Sequence, residues 1–390
     1  MKTIVILGAG QAGAELAFAL RQNGHEDRIV LVGAERHLPY QRPPLSKAFL
    51  RGDVEQDALP IRAAETYAKA GIELDLNTTA AGIDRPTRSV LLADGRKLRY
   101  DKLALATGGR PRPLPFDTAD VTSRSLHALD DAISLRHALA PGGRILIVGG
   151  GFIGLEVAAA ATTMGIAVTL IEAAPRVLSR ACSPAISAFV HREHCAHGVD
   201  LRTGVAVRGI TRHGSTVLAE LSDDTTVSAD LVLTGVGIVP NDTLAADAGL
   251  AVDDGVLVDA MATTTDPDIV AAGDCTRQRH GFLDRQVRLE SLQNATDQAR
   301  IAARTLCGKP ADPAPPPWFW SDQYHHKIRL AGLPEPDDTA VVRGDPLSDS
   351  FSVVYLRDGI ITGLHTVNQP REFAAGRRLI AARKEYQTCP

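Results

Sequence analysis

Thr3-Ile4-Val5-Ile6-Leu7-Gly8-Ala9-Gly10-Gln11-Ala12-Gly13 opens the chain with an apolar run followed by three spaced glycines. Thr3 to Leu7 is apolar and rich in β-branched residues, the signature of a strand buried on both faces of a parallel sheet. Ala14 to Arg21 continues as a helix ending near Gly24. Strand, G-x-G-x-x-G turn and helix make half of a dinucleotide-binding βαβ unit. The first glycine allows the tight turn, the second lets backbone approach a pyrophosphate, and the third lets helix pack on strand. The helix N-terminus then offers free N–H groups and a partial positive charge to phosphate.

The pattern occurs again. Ile145 to Val148 is an apolar strand, Gly149-Gly150-Gly151-Phe152-Ile153-Gly154 is the turn, and Leu155 to Met164 continues as a helix. The strand that follows, Val168 to Ile171, ends at Glu172, 23 residues after Gly149. An acid about 20 residues on grips a ribose 2′-OH. Its charge repels a 2′-phosphate and so favours NADH over NADPH, a preference that Arg176 and Arg180 would soften. In the first repeat the strand Arg28 to Val32 ends in Gly33-Ala34, which leaves Glu35 as the ribose candidate. Two complete units predict two nucleotide cofactors.

With 390 residues there is room for two or three domains with substantial cores. A hydrophobic share of 44% with 23% charged residues fits a folded globular chain rather than a disordered or membrane-embedded one. The net charge of −4 carries no nucleic-acid signature. No apolar run of about 18 residues predicts a membrane span. The apolar stretch within Met1 to Ala19 reads as the first strand and turn rather than a signal peptide, since cleavage there would remove the motif. A cytoplasmic location is expected. Cys182, Cys195, Cys275, Cys307 and Cys389 are scattered, with no C-x-x-C and no metal-ligand spacing. Reduced thiols and no metal centre are expected.

Ile72 to Ala106 holds short strands around an Asp94-Gly95 turn, then a buried strand opening into Thr107-Gly108-Gly109. The proline-rich Arg110 to Pro115 reads as a crossing between domains, and Gly235-Val236-Gly237 as the crossing back. Ile269 to Ala272 is a strand ending in Gly273-Asp274, an acid at the carboxyl end where open α/β sheets bind ligands. Glu290 to Leu306 reads as a helix and Gly308 to Pro317 as a linker. Trp318 to Pro390 forms a third unit, with a helix from about Arg371 to Lys384. The expected fold is α/β: two Rossmann-like dinucleotide-binding domains, 1–109 with 235–317 and 110–234, plus a C-terminal α+β domain, 318–390. The loop Leu38 to Leu45 is proline-stiffened, and Ser46 reads as the N-cap of a short helix carrying Lys47.

A first nucleotide domain interrupted by a second, then a C-terminal α+β unit, resembles the glutathione-reductase-like flavoproteins. In these, FAD occupies the N-terminal motif and a nicotinamide cofactor the inserted one. The markers are Gly8 to Gly13, Thr107-Gly108, Gly149 to Glu156 and Ala272-Gly273-Asp274. Disulfide reductases of this fold carry a C-x4-C pair on the helix after the second strand, and NADH peroxidases and some NADH oxidases a single cysteine. Residues 37–60 contain none, so no thiol accepts electrons beside the flavin. In its place stands Arg42-Pro43-Pro44-Leu45-Ser46-Lys47. With Ala104 to Pro115, Leu289-Glu290-Ser291 and Trp318-Phe319-Trp320-Ser321-Asp322-Gln323-Tyr324, it resembles the NADH-dependent ferredoxin reductases of bacterial cytochrome P450 and aromatic-ring dioxygenase systems.

The resemblance implies that Gly8, Gly10, Ala12 and Gly13 line the FAD pyrophosphate and that Asp274 bonds the ribityl chain. Leu292 and Ala80 would add backbone contacts, and Glu35, Arg42, Thr107 and Gly108 complete that site. His127 stands where the family commonly has an FAD-contacting arginine, with Arg124 nearby as a substitute; Ala34 stands where relatives often have an acid. Gly149, Gly151, Ile153, Gly154, Glu156, Glu172, Arg180 and Gly237 would hold NADH. The catalytic set implied is Lys47 beside the isoalloxazine, Glu156 paired with it where the nicotinamide docks, and Trp320 near the ring system. NADH would deliver a hydride to FAD, which passes electrons singly to a [2Fe–2S] ferredoxin feeding a P450 or a ring-hydroxylating dioxygenase. No nucleic acid or membrane partner is expected. Ferredoxins are usually acidic, so docking is expected to be salt-sensitive. His325-His326-Lys327-Ile328-Arg329 is a basic candidate for the dock, though a solvated strand edge explains it equally. Competing readings are a rubredoxin reductase or a cysteine-free NADH oxidase, which differ only in acceptor. A flavin-bearing NADH sensor or scaffold resembling apoptosis-inducing factor is the alternative from another class.

Overall fold

The computed structural model describes residues 2–116 and 123–385; Cys389 lies outside them. Among the described residues no helix is long and apolar enough to cross a membrane. Two compact units are present: Met1–Gln41, Leu59–Arg110 and Val239–Trp318 form one, and Arg42–Ala58, Pro111–Ile238 and Phe319–Pro390 form the other. Residues 42–58 follow the first nucleotide motif in sequence but pack with the second unit, because Leu50 is buried in that unit's core.

The first unit is built on a parallel sheet in the order Ile269–Ala271, Lys102–Leu105, Thr3–Leu7, Arg28–Gly33, Ile72–Leu76. Side chains alternate faces along a strand, and both faces here are covered. Ile4 and Ile6 enter one core with Leu16, Leu20 and Ala299, while Val5 and Leu7 enter another with Val90, Leu92, Tyr100 and Val256. That two-sided burial is why Thr3–Leu7 reads as a continuous apolar run. The chain lays down strands to one side of Thr3–Leu7 and then returns to the other with Lys102–Leu105. The reversal opens a crevice at the carboxyl ends of these two strands.

The second unit repeats the plan in the order Asp200–Thr203, Ala167–Glu172, Arg144–Val148, Leu231–Thr234, all parallel. Its reversal falls between Arg144–Val148 and Leu231–Thr234. A three-stranded antiparallel layer, Val207–His213, Thr216–Leu221 and Thr226–Ala229, covers one face. The C-terminal sheet runs Trp318–Gln323, His326–Gly332, Ile360–Val367, Phe351–Arg357, Thr339–Arg343. Ile328, Leu330, Phe351, Val353 and Val367 from that sheet share one core with Leu155, Val157, Ile186 and Phe189.

Several local expectations change. The helix expected from Glu290 begins at Leu292, because Ser291 Oγ accepts the Asn294 N–H at 3.1 Å and caps it. The last helix runs Pro370–Ala381, with the proline in its first turn. Ser46 does not cap the short helix Ala48–Arg51: Lys47 holds the cap position, without a side-chain cap, and the buried Ser46 hydroxyl bonds elsewhere. The segment 325–329 is not a strand edge, since His326–Gly332 lies between two other strands.

Candidate active site

Each turn needs its outer glycines for steric reasons internal to the chain. Gly8 has φ +112°, and a Cβ there would lie 2.0 Å from the Ala106 carbonyl oxygen. A Cβ on Gly13 would lie 1.9 Å from Gly8 O. In the second turn, Gly149 has φ +110° and a Cβ would sit 2.7 Å from Gly235 O, while one on Gly154 would sit 2.2 Å from Gly149 O. The middle glycines differ. A Cβ on Gly10 would meet nothing within 4 Å, and one on Gly151 only Gly235 O at 3.7 Å. The fold leaves that space open, as a ligand lying against the backbone requires. Gly10 and Gly151 are also the N-caps of the helices Gln11–Gln22 and Phe152–Thr163, and neither supplies a side-chain cap. The first-turn N–H groups are therefore left for an anion. Both cradles fit a dinucleotide pyrophosphate.

Around the first cradle, Gly273 adopts φ +86°, and a Cβ there would lie 3.1 Å from Ala12 Cβ, which brings the Gly273-Asp274 turn against the first helix. Gln298 Oε1 fixes that turn by accepting from Gly273 N at 2.8 Å and from Thr276 Oγ1 at 3.0 Å. Leu292 opens the neighbouring helix, tied to the first by Gln11 Nε2 donating to Thr296 Oγ1 at 3.4 Å. Thr107 and Asn241 clasp each other: Thr107 Oγ1 donates to Asn241 O at 2.7 Å and Asn241 Nδ2 donates to Thr107 O at 2.9 Å. Gly108, at φ +64°, again faces open space. Glu35 Oε2 accepts from Tyr40 OH at 2.7 Å, and Ala80 begins the strand Ala80–Asp84. Cys275 lies beneath the Asp274 turn, but burial pushes its thiol pKa up, so it stays protonated and inert.

Around the second cradle, Glu172 braces the glycine turn. Its Oε2 accepts from Gly150 N and its Oε1 from Ala174 N, both at 2.7 Å. Ile153 is 43% exposed on the first helical turn. Arg180 reaches within 3.7 Å of where a Gly237 Cβ would be. Arg176 is not available to a 2′-phosphate, because its guanidinium bonds the Cys182 and Ser179 carbonyls and Ser187 Oγ at 2.7–2.9 Å.

Behind this turn sits a buried polar cluster. Glu156, 2% exposed, receives Lys47 Nζ and Ser46 Oγ on Oε2, each at 2.5 Å, and Ser321 Oγ on Oε1 at 2.6 Å. Lys47, 18% exposed, also donates to Pro43 O at 3.2 Å, so the proline-stiffened loop sets its reach. A carboxylate this buried needs such partners to remain charged. Arg42 donates to His127 O, the His127 N–H donates to Asp131 Oδ2 at 3.0 Å, and the Arg124 guanidinium bonds Ser134. These three gather at the start of the helix Leu129–Ala138 in the second unit. Trp320 is half-buried beside Phe319, which packs on Phe152 with ring centroids 4.6 Å apart. His326 is no surface cation: it is buried, its Nε2 is 3.0 Å from Glu193 Oε2, and burial lowers its pKa. Ser46, Ser321, Gln323 and His194 were not legible as site residues. Ser321 and Gln323 stand inside the Trp318–Tyr324 marker, whereas His194 carries no sequence signal.

Two dinucleotide cradles and a buried lysine–carboxylate pair define an oxidoreductase that works between two nucleotides. The chain belongs to the pyridine nucleotide-disulphide oxidoreductase family, whose model matches residues 2–299, and residues 318–388 match the reductase C-terminal family. It is 45% identical to putidaredoxin reductase CamA of Pseudomonas putida over 388 residues, covering 97% of this chain and 92% of that one. It is 44% identical to the ferredoxin–NAD(+) reductase component of the anthranilate 1,2-dioxygenase system of Burkholderia cepacia, covering 97% and 94%. Among solved structures, the covalent putidaredoxin reductase–putidaredoxin complex matches with a TM-score of 0.96 at 43% identity, over 99% of this chain and 94% of that one. The α/β architecture is thus the glutathione-reductase fold with a reductase C-terminal domain.

Proposed function

We propose that this chain is an FAD-dependent ferredoxin–NAD(+) reductase, passing electrons from NADH through FAD to a [2Fe–2S] ferredoxin that feeds a cytochrome P450 or a ring-hydroxylating dioxygenase. One observation carries the reading. The segment that bears the redox cysteine in thiol-dependent relatives of this fold instead delivers Lys47 to the buried Glu156, so electrons leave the flavin without a thiol. The relatives named as ferredoxin reductases support the same acceptor.

In this reading residues 1–109 and 235–317 hold FAD, 110–234 hold NADH, and 318–390 form the C-terminal domain near which the ferredoxin docks. The uncapped N–H groups after Gly10 and Gly151 bind the two pyrophosphates. Asp274, Thr107, Gly108, Ala80 and Leu292 complete the FAD site, with Glu35 on its ribose. Arg42, Arg124 and His127 are the remaining FAD candidates. Gly149, Ile153, Gly154, Arg180 and Gly237 line the NADH site, and Glu172, whose charge disfavours a 2′-phosphate, takes the ribose hydroxyls. Lys47 and Glu156 present a fixed charge pair to the nicotinamide, and Trp320 flanks the rings. FAD, when bound, supplies the conversion between a two-electron donor and a one-electron acceptor. The cytoplasm is the proposed location.

NADH-driven cytochrome c reduction with and without an added [2Fe–2S] ferredoxin tests the function. Strong dependence on ferredoxin is expected. Rapid NADH consumption that ignores ferredoxin would shift the acceptor to oxygen, rubredoxin or a quinone and overturn the proposal.

A further inference from the structure

Glu156 is the end of a longer arrangement. Gln323 Nε2 lies 3.1 Å from Ser321 Oγ, Gln323 Oε1 lies 2.9 Å from His194 Nε2, and His194 Nδ1 lies 3.1 Å from Tyr324 OH. Ser321, Gln323 and His194 are all buried, so none can trade these partners for solvent.

The direction of every bond follows from the carboxylate. Ionised beside Lys47, Glu156 can only accept, so the single Ser321 proton points to its Oε1 at 2.6 Å. Ser321 must then accept from Gln323, which puts the Gln323 amide nitrogen toward Ser321 and its oxygen toward His194. That oxygen needs a donor, so His194 carries its proton on Nε2. Nδ1 is left bare and accepts from Tyr324. Flipping the Gln323 amide would demand the Ser321 proton for its own oxygen and strip Glu156 Oε1 of its donor. Burial supports both outer links, lowering the His194 pKa to about 4 and raising that of Tyr324, so the imidazole is neutral and the phenol keeps its proton. Thr162 Oγ1 sends its own proton to the Ala158 and Ala159 carbonyls and could accept from Tyr324 OH only at 3.5 Å; His194 Nδ1 at 3.1 Å is the nearer acceptor and takes the phenol proton.

We propose that Ser321, Gln323 and His194 are positioning residues for the Lys47–Glu156 pair, forming a one-way chain of donors, Tyr324 to His194 to Gln323 to Ser321 to Glu156. All four dipoles point at the carboxylate and fix its rotamer. The chain does not carry protons, because the Gln323 amide cannot relay one. The proposal rests on the reading that Glu156 serves the nicotinamide site.

The test uses the full-length FAD-loaded protein. Nitrogen-15 NMR of the histidine-labelled wild type reads the His194 tautomer, with the signal assigned by its loss in His194→Gln. A single tautomer with the proton on Nε2 is expected; a proton on Nδ1, or a mixture, overturns the chain without recourse to any activity. Gln323→Met keeps the volume and removes both hydrogen bonds. It is expected to slow flavin reduction by NADH about tenfold while changing the NADH Kd less than about twofold. His194→Gln retains an amide donor toward Gln323 and is expected to stay within about twofold of wild type, whereas His194→Phe falls with Gln323→Met. Should either large change prevent FAD loading, Ser321→Ala removes one hydroxyl and is expected to show the same split. If these variants reduce flavin at the wild-type rate while Lys47→Met is slow, the positioning role is wrong and Glu156 keeps its assignment. If Lys47→Met is also unimpaired, the assignment of Glu156 falls.

Discussion

Glu15 and Glu156 occupy the same place in two copies of one motif, seven residues after Gly8 and Gly149, yet they end in different surroundings. Glu15 Oε1 accepts from Arg300 Nε at 2.7 Å, and Arg300 is 59% exposed. Glu156 is buried against Lys47, Ser46 and Ser321. In the first, Glu15 is half-buried at 12% exposure but its arginine stays largely in solvent, so the pair between the two helices is worth under about 1 kcal/mol. The second is a buried ion whose cation cannot be removed without leaving an uncompensated charge, at a cost of about 3–5 kcal/mol. The turn and helix fix where each carboxylate starts. What packs over it decides its role: the helix Leu292–Leu306 in one case, residues 42–51 and 319–323 in the other.

Lys47→Met should break the contrast most sharply. It is expected to destabilise the protein by about 3 kcal/mol and to slow flavin reduction by NADH about 100-fold, read by thermal melting and stopped-flow absorbance. Next come Gly13→Ala and Gly154→Ala, each expected to cost about 3 kcal/mol through collision with a carbonyl oxygen. They should separate the cradles, the first losing FAD and the second keeping FAD while failing to bind NADH. Unchanged FAD absorbance in Gly13→Ala would sink the steric argument.

Acid should also distinguish the units. Burial lowers the pKa of His194 to about 4 and of His365 to about 3 in the second unit, and of His280 to about 4 in the first; His326 and His25 shift the same way. Each depressed histidine binds fewer protons folded than unfolded. Its contribution is complete above about pH 6.5 and is lost as pH falls toward the folded value. Hydrogen exchange at pH 7 and pH 5 is expected to show the second unit loosening more, and equal loss in both would refute this. A smaller effect is expected of Glu172→Ala, which should raise NADPH use relative to NADH about tenfold, measured as the ratio of kcat/KM values. Arg300→Met closes the series at under about 1 kcal/mol. A loss as large as that of Lys47→Met would erase the distinction between the two glutamates.

The strands, both glycine turns and the helices behind them were legible because each depends on residues a few positions apart. Two-sided burial writes an apolar run, and a carbonyl oxygen within about 2 Å admits only glycine. Glu172 was legible for the same reason, standing at the end of the next strand. Failures fall where one side chain had two reasonable partners. Ser46 before a short helix reads as a cap, but Glu156, 110 residues away, takes its hydroxyl. Arg176 reads as a free cation beside a phosphate site, but the Ser179 and Cys182 carbonyls and the Ser187 hydroxyl take its guanidinium. His326 reads as basic surface, but it lies on an inner strand beside Glu193.

Local sequence is enough to give the two nucleotide cradles and the lack of a cysteine in residues 37–60, since backbone sterics and the presence or absence of a cysteine are local facts. It takes the packed chain to make Glu156 the fully buried partner of Lys47 while Glu15 stays half-buried beside a solvent-exposed arginine, and to set Ser321, Gln323 and His194 in line behind Glu156. The direction of a hydrogen bond is set by which donors and acceptors packing leaves within reach, and packing joins residues that sequence holds far apart.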